Sequence, residues 1–533
     1  MKSSTIRITN KSRGIPMTTF KNPILSGFYP DPSICRVGED YYLVTSTFVY
    51  YPGVPIFHSK DLVNWKQIGH VLTRESQINL EGSRHSEGIY APTIRYHKGL
   101  FYLITTNVRK CGNFYVTAKH PEGPWSDPIV LKAEGIDPTI FFDEDRAYYL
   151  GTREKTEDKS RYYGDNEIWL QELDLEKGEL IGKQYVLWEG ALKDAVWPEG
   201  PHLYKKDGYY YLMIAEGGTA YHHAITIARS KELTGKYEGN PSNPILTHRH
   251  LGRDYPIINV GHGDLIETQD GDWWMVLLGS RPYGGIYCNM GRETFLVPVS
   301  WEDGWPVVSP GKGIVEEEMQ VPKLPQGEIG YEKARDHFES DQLDMKWIFL
   351  RNPSPDIYSL TRRESYLSLK LRPQMIVKNE NASFIGMRQR HKSFSMSVAL
   401  EFMPNEENEV AGVVLIQNKD FQYRYERALI SGKQIIRLIK REGGMEETIA
   451  EHLYEGKRVY LMVVAYEQAL NFSYGKDESC STVLATDIDA RLLSTERAGG
   501  FVGTCIGMYA SSNEKESNTY AEFDWFEYHS IGE

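Results

Sequence analysis

Over the first 315 residues, apolar and polar positions alternate in short bursts, and one burst recurs. It stands at Asp31-Pro32-Ser33-Ile34, Ala91-Pro92-Thr93-Ile94, Asp137-Pro138-Thr139-Ile140, Gly200-Pro201-His202-Leu203 and, more loosely, His262-Gly263-Asp264-Leu265. Each is followed by a polar turn and an aromatic run: Tyr41-Tyr42-Leu43, Phe101-Tyr102-Leu103, Tyr148-Tyr149-Leu150, Tyr210-Tyr211-Leu212 and Trp273-Trp274-Met275. Alternation with period two reads as strands, and the Gly- and Asp-bearing segments between them read as tight turns. Strand, turn and aromatic strand repeated at this spacing is the signature of propeller blades. The starts near 31, 91, 137, 200 and 262 predict five blades over residues 20–315, after an N-terminal extension of 1–19.

Past Pro310 the aromatic rhythm stops. Glu316-Glu317-Glu318, Pro322, Pro325, Gly327 and Gly330 make 316–334 a predicted linker. From 335 to 533 alternating strands return without helical periodicity, as at Tyr366-Leu367-Ser368-Leu369-Lys370-Leu371 and Val459-Tyr460-Leu461-Met462-Val463-Val464. The pattern predicts a β-sandwich, so the whole chain is expected to be all-β, with no long amphipathic helix.

Composition narrows the partners. A formal charge of -13 disfavours nucleic acid and anionic membrane surfaces, which would be repelled. Abundant Tyr (35) and Trp (11) suit sheets and stacking on sugar faces. Five scattered cysteines form no CxxC or Cys/His cluster, which fits a reducing compartment. Residues 1–20 carry no apolar signal core, and no long apolar run follows, so a cytoplasmic location is expected. A homo-oligomer is compatible with the sandwich strands.

The recurring burst also carries chemistry. Equivalent positions of a propeller converge on its axis, so Asp31, Asp137 and Glu199, which immediately precedes its own burst, are expected to face one another. A single Asp-Pro dipeptide commonly begins a turn. Here Ala91 and Gly200 stand where Asp31 and Asp137 do, so the blade does not require the acid. Two carboxyl groups with different duties hydrolyse a glycosidic bond, one protonating the leaving oxygen and the other activating water or attacking carbon. A third acid supplies negative charge that keeps the proton on the first.

With these residues in place, 20–315 resembles the inverting five-bladed propellers of glycoside hydrolase family 43, and the whole chain resembles its two-domain β-xylosidases. The carriers are Asn22-Pro23-Ile24-Leu25 through Asp31-Pro32-Ser33, Gly135-Ile136-Asp137-Pro138, Trp197-Pro198-Glu199-Gly200-Pro201, Gly261-His262-Gly263-Asp264 and Gly291-Arg292-Glu293-Thr294-Phe295. The resemblance implies Asp31 as general base, Glu199 as general acid, Asp137 as the residue raising the acid's pKa, and Arg292 as a ligand of sugar hydroxyls. It implies no required cofactor, although relatives place a calcium or similar ion near the histidine matching His262, held mostly through water. It makes Phe48 and Tyr90 the sugar platform, with Tyr90 standing where relatives usually carry Trp. His222 and His223 invite a metal reading, but adjacent strand residues face oppositely, so one is expected at the rim and the other in packing. The sandwich resembles the concanavalin-like domain of those enzymes, whose loop closes the pocket. The stretch 499–505 is the candidate loop, with Phe501 or Cys505 reaching substrate. The implied substrates are xylo-oligosaccharides, with α-L-arabinofuranosides as the alternative and a non-catalytic carbohydrate-binding propeller as a remote one.

Overall fold

The computed structural model describes residues 18–327 and 333–532, so most of the extension and part of the segment read as a linker lie outside the described residues. Four propeller blades are four-stranded antiparallel sheets. Their innermost strands are Ser33–Val37, Ile136–Asp143, Glu199–Lys206 and Ile258–Glu267. The second blade differs: its inner edge is split into Gly88–Ile89 and Thr93–His97, both paired with Leu100–Val108.

The aromatic runs form the second strand of each blade. In Asp40–Val44, Tyr41 and Leu43 are fully buried while Tyr42 is half-buried, the alternation a pleat imposes on a strand between two sheets. The ring is closed by side-chain amide clamping: Asn22 donates to the Leu296 carbonyl at 3.0 Å and accepts from the Leu296 amide at 3.0 Å. Thr19–Lys21 pairs with Glu318–Gln320, so part of the segment read as a linker is a strand that ties both ends of the propeller together.

A polar plug fills the meeting point of the inner strands. The third residue of each burst contributes: Ser33 donates to Asp264 at 2.7 Å, Thr93 and Thr139 lie 3.0 Å apart, and Thr139 lies 3.1 Å from His202 Nδ1. Arg95 joins them through a two-pronged contact with Asp264 at 2.8 and 3.2 Å.

The second domain packs an eight-stranded sheet on a six-stranded one around Leu367, Val398, Val413, Tyr425, Leu461 and Phe523. Among the described residues, the only helical turns are Ala490–Leu493 and Thr495–Ala498. The domains are stitched together by Phe349–Leu350 pairing with Tyr50–Tyr51 of the propeller. A shared apolar cluster joins Phe28, Phe48 and Tyr50 to Phe384, Val414 and Tyr509.

Candidate active site

A backbone device sets the acids. Asp31, Asp137, Gly200 and His262 all adopt left-handed backbone, with φ of 54, 52, 56 and 46 degrees. Three of these positions sit in register shifts of the inner strand: Ile136/Thr139, Glu199/His202 and Gly261/Asp264. Such bulges place two residues opposite one and re-aim a side chain. Asp tolerates this region better than most residues. Ala91 is not among the left-handed residues, so the second blade lacks the device.

Asp31 is buried and fully engaged. Arg292 Nη1 donates to its Oδ1 at 3.0 Å, Ser46 donates to its Oδ2, and His262 Nδ1 lies 3.8 Å from Oδ1. Burial alone would raise the carboxyl, but Arg292, then His262, and the Ser46 hydroxyl bring it below the ordinary aspartate value. Asp137, also buried, accepts the Gly200 amide at 3.2 Å. It is pushed up to about 6, chiefly by burial, with His262 opposing the rise and Asp31 adding to it. Glu199 is raised well above the ordinary glutamate value, first by burial and then by the charges of Asp137 and Asp31. Their surroundings therefore drive the two carboxyls apart, Asp31 toward the ionised form and Glu199 toward the protonated one. One is fitted to take a proton from water and the other to give one to a leaving oxygen.

Arg292 is the hub of the pocket wall. Besides Asp31 it donates to Thr219 Oγ1 at 2.7 Å and to the Phe501 carbonyl at 3.4 Å, and its guanidinium lies 5.6 Å from the rings of both Phe48 and Phe501. Phe48, Tyr90 and Phe501 form a ring triad with centroids 5.1, 5.8 and 6.1 Å apart. Phe48 is only 2% exposed, so the surfaces left for a ligand are Tyr90 and Phe501. The Tyr90 hydroxyl donates to the Ser86 carbonyl at 3.0 Å.

Phe501 arrives from the other domain. Its amide donates to Ser86 Oγ at 2.9 Å, and Gln417 holds the carbonyls of Gly499 and Val502. A Cβ on Gly503 would stand 2.6 Å from the Met290 carbonyl, so only glycine lets this loop lie against the propeller. Cys505 lies outside the pocket, buried in strand Cys505–Ser511.

His222 and His223 lie in the turn ahead of Ala224–Ser230 rather than in the strand, so strand alternation does not separate them. His222 is exposed beside Tyr221, whereas His223 is buried, with Nδ1 3.0 Å from the Asn259 carbonyl. His262 packs against Gly200, where a Cβ would come within 2.9 Å of the ring. Calcium wants several oxygen ligands. Among the described residues no three His, Cys, Asp or Glu side chains gather to hold a metal, and the carboxylate beside His262 is already taken by Arg292 and Ser46.

Sequence reasoning missed Ser46, Thr219 and Ser86, because hydroxyls in ordinary loops carry no motif. The glycines at 217 and 218, both left-handed, were the nearest signal for Thr219.

A propeller that drives two neighbouring carboxyls toward opposite protonation states beside a wall of aromatic rings is the architecture of a glycoside-cleaving enzyme. Residues 20–306 match the family described as glycosyl hydrolases family 43, and residues 335–529 match the β-xylosidase C-terminal concanavalin A-like domain. The chain belongs to glycosyl hydrolase family 43 and is a glycoside hydrolase. A xylosidase/arabinosidase of Butyrivibrio fibrisolvens is 50% identical over 96% of this chain and 99% of its own length. A non-reducing end α-L-arabinofuranosidase of Bacteroides ovatus is 42% identical over 96% of this chain and 94% of its own. The crystal structure of a xylan β-1,4-xylosidase from Bacillus halodurans superposes with a TM-score of 0.89 at 35% identity, covering 96% of this chain and all 100% of that one.

Proposed function

We propose that the chain removes single β-D-xylosyl residues from the non-reducing ends of short xylan fragments, with inversion. The observation that carries this reading is the opposed protonation of Asp31 and Glu199 in a pocket walled on one side by Phe501 of the sandwich. Water held by ionised Asp31 attacks the anomeric carbon. Glu199, which keeps an edge open to the cleft, protonates the departing oxygen, and Asp137 keeps that proton in place by its charge. Arg292 orients both Asp31 and sugar hydroxyls. The Phe501 wall blocks passage of a continuing chain, which favours action on ends. The similarity to the Butyrivibrio and Bacillus enzymes supports the substrate class. The test is a proton NMR time course on xylobiose and xylotriose. The expected first product is α-xylose, released one unit at a time, whereas initial β-xylose would overturn the inverting mechanism.

A second activity, release of α-L-arabinofuranosyl groups, is favoured by Tyr90, whose ring and hydroxyl shape the subsite differently from the Trp of relatives, and by the similarity to the Bacteroides enzyme. Paired assays on the 4-nitrophenyl β-D-xyloside and α-L-arabinofuranoside decide the balance. A much higher arabinoside rate reverses the order of the two activities.

A further inference from the structure

Glu199 follows an irregular segment, residues 189–198, that crosses from the outer strand of the third blade, Glu179–Trp188, to the inner strand of the fourth, Glu199–Lys206. A segment without a strand ladder must find other partners for its backbone groups. One side chain supplies two of them. Glu216, 1% exposed at the end of strand Tyr209–Glu216, accepts the Ala191 amide on Oε1 at 2.7 Å and the Leu192 amide on Oε2 at 3.0 Å, while the Thr226 hydroxyl also donates to Oε1. Gly190 permits the approach: it is left-handed at φ 97 degrees, and a Cβ there would stand 2.9 Å from the Glu216 carboxyl carbon. Further along, Gly217 donates to the Val196 carbonyl at 2.8 Å and Thr152 to that of Pro198.

Glu216 has no direct hand in the chemistry. The strand partner of Glu199 is Ala215, and successive strand residues face opposite ways, so Glu216 turns toward the segment that leads to the acid. The charges that raise Glu199 are those of Asp137 and Asp31, and Glu216 is not among them. What Glu216 passes on is position. Its hydrogen-bond donors are two amides and a hydroxyl, none of them a cation, and a carboxyl buried in this way is costly where packing alone is needed.

We propose that Glu216 is a positioning residue for the general acid: by holding Ala191 and Leu192 it fixes the course of the segment and so the place where the Glu199 carboxyl meets the leaving oxygen. The inference rests on the assignment of Glu199 as that acid.

The test uses leaving groups. Glu216→Gln keeps the volume but turns an NH2 group toward one of the two amides. For xylobiose, whose departing sugar needs a proton, kcat should fall roughly ten- to hundredfold, the scale of a misplaced catalytic group. For 2,4-dinitrophenyl β-D-xyloside, whose leaving group departs without one, kcat should change by less than about threefold, and that retained rate also reports a folded enzyme. Thr226→Val, which removes only the hydroxyl, should show the same split on a smaller scale and decides the matter if Glu216→Gln does not fold. Equal losses on the two substrates, or no loss on xylobiose, would overturn the positioning role. Glu199→Gln, assayed alongside, separates the two levels: a split there without one at Glu216 or Thr226 sinks this inference alone, whereas no split at Glu199 sinks the acid assignment and the inference with it.

Discussion

Arg292 and Asp31, separated by 261 residues, meet at 3.0 Å between Nη1 and Oδ1. The contact does two jobs at once: it holds Asp31 ionised against burial and points the remaining guanidinium N–H groups toward the aromatic wall. Arg292→Gln removes the charge while keeping a polar side chain. Loss of a charged hydrogen bond of about 1.5–3 kcal/mol predicts a fall in kcat/KM of about ten- to hundredfold. The sign of the pH effect is fixed as well. With Arg292 gone, burial is opposed less and Asp31 ionises at higher pH, so the acidic limb of the kcat/KM profile moves upward. Arg292→Lys should restore the limb more than the rate, because it returns the charge without the fork.

Asp137 is assigned to act through Glu199, which makes it separable from a direct participant. Asp137→Asn keeps an acceptor for the Gly200 amide and a residue type that tolerates the left-handed backbone at φ 52 degrees. It removes the charge that, after burial, raises Glu199 most. Glu199 works protonated, so the alkaline limb of kcat/KM should move to lower pH, while the acidic limb set by Asp31 shifts much less. A variant whose alkaline limb stays in place would show that Asp137 does not tune the acid.

The blades and the convergence of three acids were legible because the repeated burst is also a repeated backbone shape. Asp31, Asp137 and His262 occupy one left-handed position, and the substitution of Gly200 there is the same geometry with its side chain removed. The displacement of Glu199 by one residue was visible, but its cause, the bulge between Glu199 and His202, was not, since a bulge is defined by the partner strand. The strand Glu318–Gln320 escaped because its acidic, Pro-flanked sequence has no β signature of its own and is stabilised by pairing with Thr19–Lys21. The His222-His223 pair was misplaced for the opposite reason: a strongly β-branched strand follows, and its boundary falls just after them.

Phe501 tests whether the sandwich completes the pocket. Phe501→Ala removes a ring 5.6 Å from the Arg292 guanidinium and 5.8 Å from the Phe48 ring, without touching either carboxyl pair. Aromatic contacts of this kind are worth about 0.5–1.5 kcal/mol beyond area, so KM for xylobiose should rise roughly three- to tenfold with kcat changed little. Assays on longer xylo-oligosaccharides give the second readout, because opening that wall should narrow the preference for short substrates.

The plug around Asp264 concerns stability rather than chemistry. Asp264 is fully buried and accepts from Arg95, Ser33, Tyr204 and the Ile34 amide, joining the first, second, fourth and fifth blades. Burial would raise its carboxyl, but Arg95 leads the effects that hold it well below the usual range. Because the folded value is depressed, the stabilisation is present above the unfolded value near 3.8 and drains away as pH falls below it. Removing one partner of a buried ion pair leaves the other charge uncompensated, at about 3–5 kcal/mol. Asp264→Asn should therefore lower the denaturant midpoint of the propeller strongly at pH 7 and by a somewhat smaller margin near pH 3, where the folded carboxyl is still ionised and only part of the linkage has drained. Asp145→Asn, which breaks the exposed pair with Lys98, should leave the midpoint in place at both pH values. Equal destabilisation by Asp264→Asn at the two pH values would show that packing, and not the charge, holds the blades at the axis.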